Sequence, residues 1–259
     1  MFLPQLLKKT ESGEKLVTLT CYDASHARAL AKAGIDILLV GDSLGMTVQG
    51  HDTTLPVTLE QMVYHTEAVR RGAGNTFIMA DLPFGSYQES HAQAFANAAT
   101  LLRAGANMVK LEGGEIMVET VEFLARRGVP VCAHVGLMPQ SVNLTGYRAQ
   151  GRDNKAAQQM FEDASELEEA GAAMLLMESI PSLLATEITD NLRIPTIGIG
   201  AGPHCDGQVL VLQDILGLTE RPPRFARNFM DGATSIEDAV RRYADAVRNG
   251  SFPGPEHSF

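Results

Sequence analysis

Hydrophobic and polar positions along the chain follow one recurrent pattern. A helix-like stretch ends at a glycine, an apolar run follows, and a polar, chemically useful residue closes the run. The clearest cases are AGIDILLVGD (Ala33 to Asp42), GNTFIMAD (Gly74 to Asp81), AGANMVKLE (Ala104 to Glu112), RGVPVCAH (Arg127 to His134) and AGAAMLLME (Ala170 to Glu178). Glycine just past a helix is the common left-handed cap, and an apolar run without alternation suits a parallel strand covered on both faces. The unit therefore reads as helix, tight turn, buried strand and polar tip. Repetition places two Asp, two Glu, one His and Lys110 at the same end of one sheet, which is the functional end in parallel α/β architectures.

Eight strand candidates can be counted: 16–22, 36–42, 77–81, 108–112, 129–134, 174–178, 195–200 and 208–213. Helical stretches separate most of them: Ala24 to Lys32, Thr58 to Arg71, Ser90 to Ala104, Glu115 to Arg127, Asn154 to Ala170 and Ser182 to Asn191. Thr58-x-x-Gln and Ser90-x-x-Gln both match the capping box. Eight strands alternating with helices predict a closed (β/α)8 TIM barrel, with a doubly wound open sheet as the alternative. The join AGPHCDG before the last strand is too short for a crossover helix, so only a turn of helix is expected there. A helix from Ile236 to Asn249, capped by Ser235, is expected to pack outside the barrel. No linker divides the chain, which gives one domain over residues 1–259, a barrel with a C-terminal helical extension.

Composition narrows the function classes. Hydrophobic residues at 45% and charged residues at 20% are ordinary for a globular protein. The net charge of −10, with scattered basic residues, argues against a nucleic-acid surface. No apolar run is long enough for a bilayer and the N-terminus lacks a signal-peptide core, so a soluble cytoplasmic protein is expected. Cys21, Cys132 and Cys205 form no CxxC pair and read as buried reduced thiols.

The polar tips carry the candidate chemistry. Asp42, Asp81 and Glu112 end strands two, three and four, which neighbour one another in a barrel. Three converging carboxylates repel unless a positive charge lies between them. A hard divalent cation such as Mg²⁺ answers that need and uses one or two direct carboxylates, so one of the three would act through water. Singly, each could instead cap a helix. Lys110 and Glu112 lie two apart on one strand and face the interior together. Lys110 is expected to pair with a carboxylate, with an anionic substrate, or with both. His134 is either a satisfied core residue or a donor to substrate oxygen. Glu178, set apart from the metal cluster by the His134 strand, suits a general base of raised pKa. Ser43, beside Asp42, can donate to a substrate carboxylate. GIGAG (Gly198 to Gly202) is a weak phosphate-loop signal, because glycines also serve tight barrel turns.

At these residues the chain resembles a known family. VGDSLGMTVQGHDTTLPVT (40–58) is similar to the signature of the ketopantoate hydroxymethyltransferases. The likeness continues through MADLPFGSY, AGANMVKLEGG, VPVCAHVGLMPQSVN, GYRAQGR, IGIGAGPHCDGQVLVLQD and PGPEHSF. It departs at Met138, where the family usually has Thr, and at Gly85, where a bulkier residue is common. The resemblance implies a barrel of the phosphoenolpyruvate/pyruvate type. It also implies transfer of a hydroxymethyl group from 5,10-methylenetetrahydrofolate to 3-methyl-2-oxobutanoate, giving 2-dehydropantoate through a Mg²⁺-stabilised enolate in pantothenate biosynthesis. By the same resemblance the metal ligands fall on Asp42, Asp81 and Glu112. Substrate contacts fall on Asp42, Ser43, Asp81, Lys110 and His134, and the base falls on Glu178. Assembly as a homo-oligomer, typically a decamer, is also implied. The rivals are another Mg²⁺-dependent 2-oxo acid lyase or mutase, a phosphosugar isomerase using GIGAG, and a non-catalytic barrel. The first often needs a gating-loop cysteine in the metal quadrant, where none falls. The second needs no trio of acids, and the third has no use for so many costly polar groups in one pocket.

Overall fold

In the computed structural model, which describes residues 1–259, the apolar runs form β1 (Leu16–Thr20), β2 (Ile37–Val40), β3 (Phe77–Asp81), β4 (Met108–Glu112), β5 (Val131–Gly136), β6 (Met174–Glu178), β7 (Thr196–Ile199) and β8 (Gly207–Leu210). All pairings are parallel, and β1 bonds to both β2 and β8, so the sheet closes into a barrel in sequence order. Helices cover the strands outside and side chains fill the interior, so residues of both faces are buried. That double burial explains the unbroken apolar runs. One contiguous cluster of 69 buried apolar residues forms the core.

Register carries the polar tips to one end. Asp81 lies beside Lys110, Glu112 beside His134 and Gly136 beside Glu178. The chain turns sharply there, and two glycines are required. At Gly136 φ is +97° and a β-carbon would lie 2.2 Å from the Glu178 carbonyl oxygen. At Gly41 a β-carbon would lie 2.8 Å from the Ser43 hydroxyl and 3.6 Å from the Asp81 carboxylate. Any larger residue at either position displaces a functional group.

Four local expectations change. β2 ends at Val40, so Asp42 stands two residues beyond the strand, on the turn made by Gly41. β8 ends at Leu210, and Leu212–Ile215 is a helical turn instead of strand. Thr20 accepts the Leu212 N–H through its hydroxyl at 2.8 Å, which draws the chain out of the ladder. The join between β7 and β8 has no helical turn, because Asp206 folds back to accept from the Thr196 N–H and hydroxyl. The Ser90 cap also differs. Its hydroxyl accepts from Gln93 N, but the Gln93 side chain accepts from Glu89 N. The box is complete at Thr58 and Gln61.

Ile236–Arg248, the long helix after β8, completes the outer layer of the barrel. It packs on β1 and on helix Ala24–Lys32 through Ala239, Val240, Tyr243, Ala244, Ala246 and Val247. The Tyr243 hydroxyl lies 3.0 Å from the Thr18 carbonyl and 3.1 Å from that of Gln208, across the β1–β8 seam. An N-terminal helix, Leu3–Glu11, was not expected; Pro4 lies in its first turn and Leu6 is its one buried residue. Lys9 from this helix and Arg248 from the last both pair with buried Asp36, just before β2. No helix is long and apolar enough to cross a membrane.

Candidate active site

The strand tips open into a cavity of about 840 Å³ at the C-terminal end of the barrel. Asp42, Ser43, Asp81, Lys110, Glu112, His134 and Glu178 all line it. The seven candidates from five separate segments therefore meet in one place.

Lys110 is the hub. Its ammonium nitrogen lies 3.1 Å from Asp81 Oδ1, 3.7 Å from Glu112 Oε1 and 3.5 Å from His134 Nδ1. Burial works against its charge, but Asp81, Glu112 and Asp42 outweigh burial and hold its pKa above the ordinary value. It stays protonated at every physiological pH. Asp81 Oδ2 accepts the backbone N–H of Asp42 at 3.1 Å. Asp81 Oδ1 is buried and makes no hydrogen bond, facing the ammonium without the geometry of one. Asp42 is 3% exposed, and burial, then the charges of Asp81 and Glu112, hold its carboxyl well above the usual carboxylate range. Glu112 goes the other way. Burial opposes its ionisation, but contact with His134 and Lys110 lowers its pKa.

His134 stands between two acids, with Nδ1 3.6 Å from Glu112 Oε1 and Nε2 3.5 Å from Glu178 Oε2. Burial, then the Lys110 charge, lowers its pKa, so the imidazole is neutral near pH 7. The Glu178 side chain keeps 14% of its surface open to the cavity. Burial, with the Glu112 charge behind it, pushes its carboxyl up to about 8. Four acids thus face one fixed cation, and two of them sit above their ordinary pKa. The pocket carries an unmet demand for positive charge.

The residues present test a divalent cation in a definite way. The donors on the Asp42–Asp81 side are hard oxygens, which suits Mg²⁺ or a similar ion. Asp42 and Asp81 come from adjacent strands, and each has a carboxylate oxygen outside any hydrogen bond. Glu112 is committed elsewhere: Oε2 accepts the Gln140 N–H at 3.0 Å, and Oε1 faces Lys110 and His134. No group of three or more His, Cys, Asp or Glu side chains is gathered for joint ligation. The arrangement fits a cation held directly by two carboxylates, with Glu112 behind them.

Three residues escaped the sequence reading. Gln140, buried on the segment after β5, donates through Nε2 to Asp42 Oδ2 at 2.8 Å and to the Leu82 carbonyl at 2.9 Å. Its Oε1 accepts from the Tyr87 hydroxyl at 2.7 Å, and that hydroxyl accepts from Glu112 N at 3.1 Å. One glutamine therefore fixes both Asp42 and Glu112. Tyr22 shares a hydrogen bond of 2.9 Å with the Ser43 hydroxyl. Gln140 lies within the quoted MPQSVN segment, so the family likeness was the one signal that touched it.

GIGAG has no room for a phosphate. A β-carbon on Gly200 would lie 2.9 Å from Phe225, and one on Gly202 would lie 2.1 Å from the Ser182 hydroxyl. These glycines permit close packing. The three cysteines are free and buried, and burial pushes each thiol up to about 12, which leaves them unreactive.

Comparison with known proteins extends the picture to the whole chain. Residues 1–255 match the family model described as ketopantoate hydroxymethyltransferase. The chain is 59% identical to the 3-methyl-2-oxobutanoate hydroxymethyltransferase of Nitrosospira multiformis, over 97% of each protein. It is 56% identical to the enzyme of that name from Methylobacillus flagellatus, over 100% of each. Among solved structures, a phosphonopyruvate hydrolase complex with oxalate and Mg²⁺ superposes with a TM-score of 0.64 at 14% identity, over 99% of this chain and 93% of the other. A 2,3-dimethylmalate lyase of the phosphoenolpyruvate mutase/isocitrate lyase superfamily superposes with a TM-score of 0.59 at 18% identity, over 80% of each. At such identities the solved structures speak for the barrel alone. The family model and the close relatives span nearly every residue, the seven in the cavity included, and this chain belongs to the ketopantoate hydroxymethyltransferase family.

Proposed function

We propose that the protein transfers a hydroxymethyl group from 5,10-methylenetetrahydrofolate to 3-methyl-2-oxobutanoate, forming 2-dehydropantoate for pantothenate synthesis. The observation that carries this reading is the division of the cavity floor. One side holds Asp42 and Asp81 with the Lys110 ammonium. The other holds a carboxyl, Glu178, kept near neutral pKa.

Asp42 and Asp81 would hold the divalent cation, with Glu112 behind them. That cation, when bound, draws electron density from the oxo acid and makes its tertiary C–H acidic. Lys110 faces the substrate's negative charge at close range, and the Ser43 hydroxyl orients its carboxylate. His134, neutral and between Glu112 and Glu178, donates a hydrogen bond to the oxygen where negative charge develops. Glu178 accepts the tertiary proton. Water adds to the methylene carbon of the folate as its two C–N bonds break, which releases a formaldehyde equivalent and tetrahydrofolate, the two folate nitrogens taking up the two protons of the water. The carbon nucleophile adds to the formaldehyde carbon, and the oxygen takes the proton held by Glu178 to become the new hydroxyl. Assembly as a homo-oligomer, a decamer by the family likeness, and a cytoplasmic location belong to the same reading.

Purified protein given 3-methyl-2-oxobutanoate, methylenetetrahydrofolate and Mg²⁺ is expected to form 2-dehydropantoate, and omission of any one is expected to stop it. Absence of product with folate of verified activity overturns the reading.

Lys110→Ala is expected to weaken oxo acid binding by about 10–100-fold, the range for a hydrogen bond to a charged group. Cation affinity should fall much less or rise, because two carboxylates lose a competing cation. Calorimetric titration of each ligand checks this. Unchanged oxo acid affinity would leave Lys110 a structural partner of Asp81 and Glu112.

A further inference from the structure

Beyond its acidic floor the cavity has a second compartment of opposite character. Its outer wall is aromatic and basic: Tyr147 and Arg148 come from the segment after β5, and Arg221, Arg224 and Phe225 from the segment after β8. Phe259 completes it, its carbonyl accepting from Ser182 N at 3.0 Å. The first segment follows β5, the neighbour of β6, and Phe259 is bonded to the segment just after β6, whose tip is Glu178. Phe225 and Phe259 are seated against Gly200 at the end of β7, so the aromatic wall is held in place.

The charges at this mouth are out of keeping with the chain. Net charge is −10, and six of the twelve arginines elsewhere lie within 4.0 Å of a carboxylate, Arg126 at Glu122, Arg193 at Glu168 and Arg242 at Asp238 among them. Arg148 and Arg221 are exposed and have no carboxylate oxygen within 4.0 Å. Arg224 is anchored by a hydrogen bond from Nε to the Glu256 carbonyl, with its guanidinium 5.5 Å from the Phe259 ring centre. Asp52 is the one exposed acid in the lining, and Asp214 is turned to the Thr219 hydroxyl at 2.6 Å. Unpaired cations beside an aromatic wall suit a ligand with a flat ring system and an anionic tail. The volume of about 840 Å³ belongs to the class that takes ligands of drug size, and a five-carbon acid cannot fill it.

We propose that this outer compartment seats the folate co-substrate, with Arg148 and Arg221 holding its glutamate carboxylates and Tyr147, Phe225 and Phe259 facing its ring system. The proposal rests on the reaction proposed above. It makes the cavity bipolar, with oxo acid and cation on the acidic floor and folate dianion at the basic mouth. Repulsion between the floor carboxylates and the glutamate tail then sets the direction of folate entry, ring first.

The test compares two donors: methylenetetrahydrofolate, and methylenetetrahydropteroate, which keeps the rings but lacks the glutamate. Wild type should show a KM about three- to tenfold lower for the glutamate form at low salt, as expected of two exposed ion pairs. In Arg148→Ala/Arg221→Ala that preference should vanish, through a rise in the KM for the folate alone. The KM values for the pteroate donor and the oxo acid should stay the same. Both residues are exposed, so the variant should keep the wild-type melting temperature, and added NaCl should erase the wild-type preference. A variant that keeps the preference, or that loses both donors equally, overturns the proposal. Equilibrium binding of tetrahydrofolate against tetrahydropteroate gives the same comparison without turnover. Wild type that shows the preference in binding but yields no product with either donor refutes the reaction and spares the site. Competition by ATP with the same arginine dependence, and no glutamate preference, overturns the proposal in favour of a nucleotide site.

Discussion

Glu178→Gln is expected to lower turnover by roughly 10²–10⁴-fold, the range for a positioned base. The amide keeps the shape and one acceptor oxygen but cannot take the proton. Binding of cation and oxo acid should change little, because Glu178 lies across His134 from the Asp42–Asp81 pair. Proton exchange at the tertiary carbon in D₂O, measured with cation and oxo acid alone, should fall in parallel. The pH profile follows from the raised carboxyl. A base works only when ionised, so activity is lost as pH falls through its pKa. Burial and the Glu112 charge put that pKa at about 8 in the protein alone. A bound cation favours the ionised form, so the acid limb of the loaded enzyme should lie below 8 and move down as cation concentration rises. Gln at 178 should abolish that limb. Normal turnover in Glu178→Gln would make another group the base, with His134 the first candidate. Loss of cation binding would show that Glu178 belongs to the cation site after all.

Removal of divalent cations is expected to abolish turnover, and Mg²⁺ or another oxygen-preferring ion should restore it. The reason is electrostatic: four acids share one Lys110, and burial and repulsion hold Asp42 well above its ordinary pKa. A cation relieves that repulsion and supplies several kcal/mol of stabilisation to developing charge. Asp42→Ala and Asp81→Ala should each cost at least about 10²-fold in turnover and weaken cation and oxo acid together. Glu112→Ala should be milder in cation affinity, about tenfold, because its oxygens are committed to Gln140 N, Lys110 and His134. Full activity in protein shown by elemental analysis to be metal-free contradicts the site. An Asp42→Ala variant with unaltered cation affinity would move the ligand set away from β2.

The strands were legible because each is buried on both faces, and the candidate residues because each lies within three residues of a strand's C-terminal end; His134 is two short of it, since β5 runs on to Gly136. What periodicity could not show were contacts between segments far apart in the chain. Gln140 reaches Asp42 across 98 residues and Tyr87 across 53. Neither has a hydrophobic period to mark it, and a buried glutamine looks like a loop residue until its partners are known. Asp42 was read as a strand end because DILLVGD is continuous, but Gly41 turns the chain first. The helix after β8 reads in the sequence as an extension because a long tail separates it from the last strand. Leu3–Glu11 was passed over because only Leu6 faces the core. GIGAG misled because glycines that admit a ligand and glycines that admit a phenylalanine ring have the same sequence.

The seam between β1 and β8 also sets the order in which the molecule can assemble. β1 is made early in synthesis, yet its partner on one side lies about 190 residues downstream: Leu16 registers with Gly207, and Tyr243 locks both strands through Thr18 and Gln208. Pairings of such sequence separation cost closure entropy before they return any contact, so they form slowly. Until the last fifty or so residues emerge, β1 and β7 are bare sheet edges, the kind that recruit strands from other chains. Lys9 and Arg248, meeting on Asp36, complete the ring only when both ends of the chain are present. The catalytic floor, built from β2 to β6, can therefore be in place while the barrel is still an open and vulnerable arc.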